Sequence, residues 1–242
     1  MGLPSNCRIA LALLVTALLL PVSDPQAADE TAADQTYSQK GADTCLACHE
    51  DPQVLAIFQT KHGVPTDSRS PFGQDQLQCE ACHGPGGAHT KRIRFGEERG
   101  PIGNFGADAA TPVETQNETC LTCHKSNVGA GWHSGPHERD DVACADCHSV
   151  HVAKDPVLEV SSQPAVCYEC HQAQRNQALR AFSHPFFEGK MGCTGCHSPH
   201  GDTVALQFNR QTLNETCFDC HAEKRGPYLW EHAPVTEDCS VC

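Results

Sequence analysis

Seven times in this chain two cysteines stand three positions apart with a histidine directly after the second. The copies are CLACH (Cys45, Cys48, His49), CEACH (Cys79, Cys82, His83), CLTCH (Cys120, Cys123, His124) and CADCH (Cys144, Cys147, His148). CYECH (Cys167, Cys170, His171), CTGCH (Cys193, Cys196, His197) and CFDCH (Cys217, Cys220, His221) complete the set. An eighth begins at Cys239 and Cys242, where the sequence stops. Of the 17 cysteines, all but Cys7 are used in these pairs, so none is left for a structural disulfide. Two thiols at this spacing reach one edge of a flat macrocycle from a single backbone turn, and the adjacent imidazole can swing beneath a central metal. C-x-x-C-H is the attachment signature of haem c, in which the thiols add across the two vinyl groups. Half of a zinc site is the competing reading. Zinc does not require a histidine after every second cysteine, so the repetition argues for haem. The expected cofactor is haem c, at seven complete sites and one truncated site.

The remaining histidines extend this chemistry. Of 15 histidines, seven follow the cysteine pairs as proximal ligands. The other eight are His62, His89, His133, His137, His151, His184, His200 and His232. They match eight haem positions and are the distal-ligand candidates for bis-histidine iron. Methionine cannot take that place, because Met191 is the one methionine beyond Met1. His/Met ligation raises haem potential, so its absence points to low-potential, six-coordinate iron.

The spacing forms a larger unit: motif, histidine, motif, histidine. Two-haem units are expected at about 45–89, 120–151 and 167–200, with an incomplete one at 217–242. In the first three, the middle histidine follows the proximal one by 13 residues (49 to 62, 124 to 137, 171 to 184). His133 fits no slot: it serves a haem of another unit or is a plain polar residue. His151 and His200 stand three residues after His148 and His197. Three helical residues rise only about 4.5 Å, too little to reach the far face of the haem beside them. Each is expected to cross to a neighbouring haem, which brings porphyrin edges near contact and lets electrons tunnel between them.

The elements that must hold these residues look sparse. Aromatics are 6% of the chain, with 19 Gly and 16 Pro, and the mean hydropathy is −0.42. Helices are predicted over 52–60, 167–182 and 217–224. Gly84-Pro85, Gly135-Pro136, Ser198-Pro199 and Gly226-Pro227 punctuate the rest, and no convincing strand alternates. A chain so poor in apolar residues needs a staple other than a core. The expected fold is a multihaem cytochrome c, mostly loops with short α-helices around an elongated row of haems and little or no β. Trp132 and Trp230, each beside a spare histidine, read as packing against a haem face or as electron-transfer groups.

A formal net charge of −13 argues against a nucleic-acid partner, since phosphate binding needs a basic patch. The basic run Lys91, Arg92, Ile93, Arg94 reads as a solvated loop or as a partner for haem propionates. Residues 1–27 read as a secretory signal peptide, with Arg8 before an apolar run over 9–20 and small residues at Ala27 and Ala28. The run is short of the roughly 20 residues a spanning helix needs. Export is expected, followed by a disordered lead-in over 28–44 and a multihaem domain over 45–242.

The strings GADTCLACH (41–49), LQCEACHGP (77–85), DVACADCHSVH (141–151), KDPVL (154–158), CTGCHSPHG (193–201) and NETCFDCHAEKRGPYLWEH (214–232) resemble the decahaem cytochromes of the MtrA/DmsE type. That type includes the PioA and MtoA proteins of iron oxidation, and the resemblance covers essentially the whole mature chain. It implies ten bis-histidine haems inside an outer-membrane β-barrel porin. It further implies exchange with periplasmic electron-donor cytochromes on one side and a cell-surface cytochrome or terminal reductase on the other. The sequence departs by ending within the eighth motif, so a fragment is expected, with a histidine and two more haems beyond. The resemblance favours an electron conduit across the outer membrane over a soluble periplasmic shuttle feeding a reductase. An enzyme with an open iron site fits poorly, because the histidines suffice to close every iron and no C-x-x-C-K variant occurs. The direction of electron flow is not written in the sequence.

Overall fold

The computed structural model describes residues 36–128, 131–201, 208–230 and 237–241. Along them run short helices: α1 (Ala42–Leu46), α2 (Pro52–Leu55), α3 (Glu80–His83), α4 (Gly87–Thr90), α5 (Val113–Val128) and α6 (Pro136–Arg139). They continue with α7 (Cys144–Cys147), α8 (Gln163–Tyr168), α9 (Gln172–Ala178) and α10 (Leu213–Phe218). Single 3-10 turns and loops join them, and the one β feature among the described residues is a lone bridge from His197 to Phe208. This is the loop-rich multihaem cytochrome fold expected from the sequence.

Each haem motif is one helical turn. The amide of the proximal histidine donates to the carbonyl of the first cysteine at 2.9–3.0 Å in the motifs beginning at Cys45, Cys79, Cys144, Cys167, Cys193 and Cys217. That i to i+4 bond holds both thiols on one side and delivers the imidazole next to them. In the third motif, Cys120 to His124, the turn is part of the longer helix α5; at others it stops. His171 (φ −88°, ψ 60°) and His221 (φ −104°, ψ 47°) both leave helical space. The helix predicted over 167–182 is therefore two, α8 and α9. Likewise 52–60 is α2 followed by the 3-10 turn Ala56–Gln59, and 217–224 is the end of α10 plus the 3-10 turn Ala222–Lys224.

The longest helix, α5, was not predicted. Its sequence VETQNETCLTCHKSNV carries no apolar stripe of the kind that marks a surface helix. Its start is fixed by Gln116, which is buried and whose amide bonds Gly106 N at 2.9 Å and Thr111 O at 2.9 Å.

An apolar core is missing among the described residues. The buried hydrophobics are few and scattered (Ala42, Ile57, Leu121, Trp132, Ala143, Tyr168 and Ala178), while Ser70, Glu80, Gln116, Asn117, Gln163 and Thr216 are equally buried. Buried polar groups stand where an apolar core would be. The stretch 36–44 corrects the expected disorder of the lead-in. Ser38 N and Oγ donate to the buried Glu80 carboxylate at 2.7–3.1 Å, and Gly87 N donates to Thr36 O at 2.9 Å. Residues 1–35, with the expected signal peptide, lie outside the described residues.

Candidate haem-binding sites

The motif turns lay the cysteines out as a continuous series. Within units, Cys45 meets Cys79, Cys120 meets Cys144, Cys167 meets Cys193 and Cys217 meets Cys239 in thiol hydrogen bonds. Between units, Cys82 feels Cys120 and Cys123, Cys147 feels Cys170, and Cys196 feels Cys220. Each pair of thiols would carry one porphyrin edge, which would set each attachment site beside the next in chain order.

These contacts show in the acidities. Hydrogen bonding from Cys144 draws Cys120 down to about 7, and Cys167 does the same for Cys193. The same bonds push Cys144 and Cys167 up. Burial lifts Cys79 to about 11. Burial also lowers His62, with His124 adding to the effect, and lowers His83. A neutral imidazole is the form that ligates iron.

The histidine rings meet in pairs. His49 faces His89 at 6.2 Å between centroids, His62 faces His124 at 5.9 Å, and His83 faces His151 at 6.2 Å. His137 faces His171 at 6.0 Å, His148 faces His200 at 6.1 Å, and His184 faces His221 at 6.4 Å. Each pair joins a proximal histidine to one of the spare ones. A metal–imidazole bond is about 2.0 Å, and the ring centre lies about 1.1 Å behind its nitrogen given ring bonds near 1.3 Å. Two imidazoles on opposite sides of one iron thus have centroids roughly 6.2 Å apart. All six pairs have that separation, so the residues fit haem. Among the described residues no group of three or more His, Cys, Asp or Glu side chains converges as a metal site.

The far nitrogens are held as well. Nδ1 of His83 donates to Gly103 O at 2.7 Å and that of His89 to Gly100 O at 3.0 Å. Nδ1 of His137 donates to Pro199 O at 3.0 Å and that of His151 to Val54 O at 3.2 Å. Such bonds fix the tautomer and leave Nε2 to the metal. Nδ1 of His148 instead meets Asp155 Oδ2 at 2.7 Å.

His133, His197 and His232 are not among these six pairs. His133 is 69% exposed with its Nδ1 4.0 Å from Glu138 Oε1. His197 stacks on Phe208 at 5.1 Å. His232 and Cys242 fall outside the described residues. Trp132 is buried and packs edge-on against His200 at 6.1 Å, whereas Trp230 is 93% exposed. Lys91, Arg92, Ile93 and Arg94 form an exposed loop.

Sequence reasoning missed a set of amide clamps between motifs. Asn117, three residues before Cys120, accepts from Cys144 N at 2.8 Å and donates to Val142 O at 3.1 Å. Asn214, three residues before Cys217, accepts from Cys239 N at 2.7 Å. Gln163 accepts from Thr194 N at 2.9 Å, and Gln78 accepts from Ala42 N at 2.5 Å. The signal was present as the tetrapeptide NETC, which occurs at both 117–120 and 214–217.

Repeated thiol pairs on helical turns, joined in series and flanked by imidazoles set an iron apart, fit a multihaem c-type cytochrome whose cofactor is haem c. Residues 79–164 match the family described as cytochrome c-type protein NrfB-like, 184–226 the doubled CXXCH motif, and 17–84 cytochrome c554 and c-prime. The chain is similar to the multiheme cytochrome MtrA of Shewanella baltica (strain OS185), with 46% identity over 211 residues, 87% of this chain and 61% of that protein. The chain spans about three fifths of that relative's length. The cytochrome c-type protein NrfB of Escherichia coli O6:H1 is 29% identical over 135 residues, 48% of this chain and 70% of that protein. The high-molecular-weight cytochrome c of Nitratidesulfovibrio vulgaris is 26% identical over 163 residues, 64% of this chain and 25% of that protein.

Proposed function

We propose that this cytochrome is a passive electron wire whose irons are each closed by two histidines, and that it carries electrons across the outer membrane inside a β-barrel porin. The observation that carries the wire is the unbroken series of adjoining attachment sites from Cys45 to Cys239. Haem c supplies a one-electron iron couple. The protein residues fix its spacing, close its axial positions and hold the ligand tautomers.

The pairing has a regular plan. His62 of the first unit is assigned to the iron of His124 in the second, and His151 of the second returns to the iron of His83 in the first. His137 and His200 make the same exchange between the second and third units. His184 is assigned to the iron of His221, and His89 to that of His49. At these six irons both axial positions would be taken, leaving a substrate no open site there, which argues for a conductor rather than a catalyst.

The barrel reading rests on the likeness to the MtrA type and on the acidic, polar chain. No helix among the described residues is long and apolar enough to cross a membrane. A barrel with a polar lumen would offer such a chain a passage. The proposed neighbours are periplasmic donor cytochromes at one end and a cell-surface cytochrome or terminal reductase at the other.

Gentle purification of the full-length protein from outer membranes of its host, followed by mass spectrometry, tests this. A β-barrel protein in stoichiometric amount is expected. Recovery entirely in the periplasmic fraction, with no barrel, would move the assignment to a soluble shuttle.

A further inference from the structure

Around the fourth motif the surroundings of the iron site change character. Asp155 places Oδ2 2.7 Å from His148 Nδ1, and its side chain is only 14% exposed. Its other oxygen, Oδ1, accepts from Ser149 N at 3.2 Å and from Val157 N at 3.4 Å, capping the 3-10 turn Pro156–Leu158. That turn is anchored in its own right. Ser162 Oγ donates to Pro156 O at 2.8 Å, and Gln163 Nε2 donates to Val157 O at 2.7 Å. The carboxylate is therefore fixed on the imidazole. His83, His89, His137 and His151 donate to neutral backbone carbonyls instead. His221 has an acid nearby, but Glu223 is 3.8 Å away and 63% exposed.

A second observation points the same way. The charges bearing on the Cys147 thiol include three carboxylates, Asp146, Asp155 and Glu169. Negative charge gathers around this attachment site.

We infer that Asp155 is a positioning residue that sets the haem of Cys144 and Cys147 at a lower potential than its neighbours. Ferric iron carries one more positive charge than ferrous. A carboxylate bonded to Nδ1–H makes the ligating nitrogen more electron-rich and favours the ferric state, a recognised second-shell lever on haem potential. The step is a single electron, which ferric iron gains from the adjoining haem in the row. The proton stays on His148 Nδ1 and no bond to Asp155 breaks. The fourth site becomes the last to be reduced, and the haems before it and after it fill as two separate electron pools.

The inference rests on the His148–His200 axial pair proposed above. Redox titration of the full-length holoprotein, followed by absorbance and electron paramagnetic resonance, tests it with Asp155→Asn. Asparagine lacks the charge and keeps one acceptor oxygen; with that oxygen on His148 Nδ1–H its NH2 group faces Ser149 N and Val157 N, so the variant also loosens the cap on the turn. A charge-assisted hydrogen bond is roughly twice as strong as a neutral one. At a fixed potential the ferrous-to-ferric ratio of the lowest-potential component should rise about tenfold, about 59 mV for one electron. The other components should keep their positions, with the haem mass complete and the site low-spin. A titration curve identical to the parent's, or one in which every component moves equally, overturns the inference.

The parent protein gives a test that needs no variant. The planes of His148 and His200 lie 31° apart, so the last signal to disappear on reduction must be of the near-parallel type. Disappearance of a near-perpendicular signal last overturns the inference even if Asp155→Asn fails to take up haem. His200→Ala separates the two readings. If that variant remains fully low-spin, the axial pair is wrong. If it gains a high-spin site while Asp155→Asn leaves all potentials unmoved, the pair stands and the tuning role falls.

Discussion

His62 and His124 meet edge to face, with ring centroids 5.9 Å apart and planes inclined at 71°. One ring belongs to the first two-motif unit and the other to the second, so the iron between them would tie the units together. Replacing His62 by Ala removes the distal ligand assigned to the haem of Cys120 and Cys123. Its proximal ligand and both thioethers remain. Reduced His62→Ala protein is expected to bind carbon monoxide at about one haem equivalent per chain, while the parent binds little, because an opened distal position admits small ligands. Carbon monoxide difference spectra check this. Binding no greater than the parent's would mean that His62 is not an axial ligand.

The ring planes predict a division among the irons. His49 and His89 are inclined at 21° and His148 and His200 at 31°. His62 and His124 are at 71° and His137 and His171 at 65°. Near-parallel imidazoles split the iron d orbitals that share the unpaired electron, whereas near-perpendicular ones leave them close in energy. The oxidised protein should therefore show two classes of low-spin resonance, one rhombic and one strongly axial. Low-temperature spectra are the check, with His62→Ala depleting the axial class and His89→Ala the rhombic one.

The cysteine and histidine types were legible because covalent chemistry demands them at fixed spacing. The ring partners were less so. A distal ligand arrives from the neighbouring unit, and nothing local to His62 points to His124. Geometry did exclude one choice: three residues of rise keep His151 and His200 from the haems beside them, and their rings face His83 and His148. Helix α5 escaped because the usual sign of a helix, an apolar stripe, is absent when its packing partner is a cofactor. The run 167–182 looked like one helix because its composition is continuous, yet the motif ends its turn at His171. The end of the lead-in looked disordered by composition, and one buried carboxylate at Glu80 changes that.

Asn117 tests the amide clamps. It is 7% exposed and holds Cys144 N and Val142 O together. Asn117→Ala leaves a backbone donor and acceptor without these partners in a half-buried place. A loss of about 1–3 kcal/mol is expected, the usual cost of stranding such a group. Thermal unfolding of the holoprotein reads it out. Intact mass should also reveal chains short of haem at Cys144 and Cys147, if the clamp aligns that turn for attachment. A variant with parental stability and full haem content would show the clamp to be dispensable.

Glu80 offers a local test of order. Its carboxylate is 3% exposed and accepts from Ser38 N, Ser38 Oγ and Gly86 N, the last at 2.7 Å. All of these partners act as donors, so both carboxylate oxygens serve as acceptors. Glu80→Gln turns one oxygen into an NH2 group that must face a donor, which should cost about 1–3 kcal/mol. The loss should be local, because Glu80 fastens Ser38 onto α3, beside the Thr36–Gly87 and Ala42–Gln78 bonds. Hydrogen exchange in that stretch should quicken strongly while α5 keeps its protection. Ser38→Ala, which removes one of the bonds and strands no donor on the carboxylate, should have a smaller effect of the same kind. Unchanged exchange over 36–44 in Glu80→Gln would mean that other contacts hold the segment.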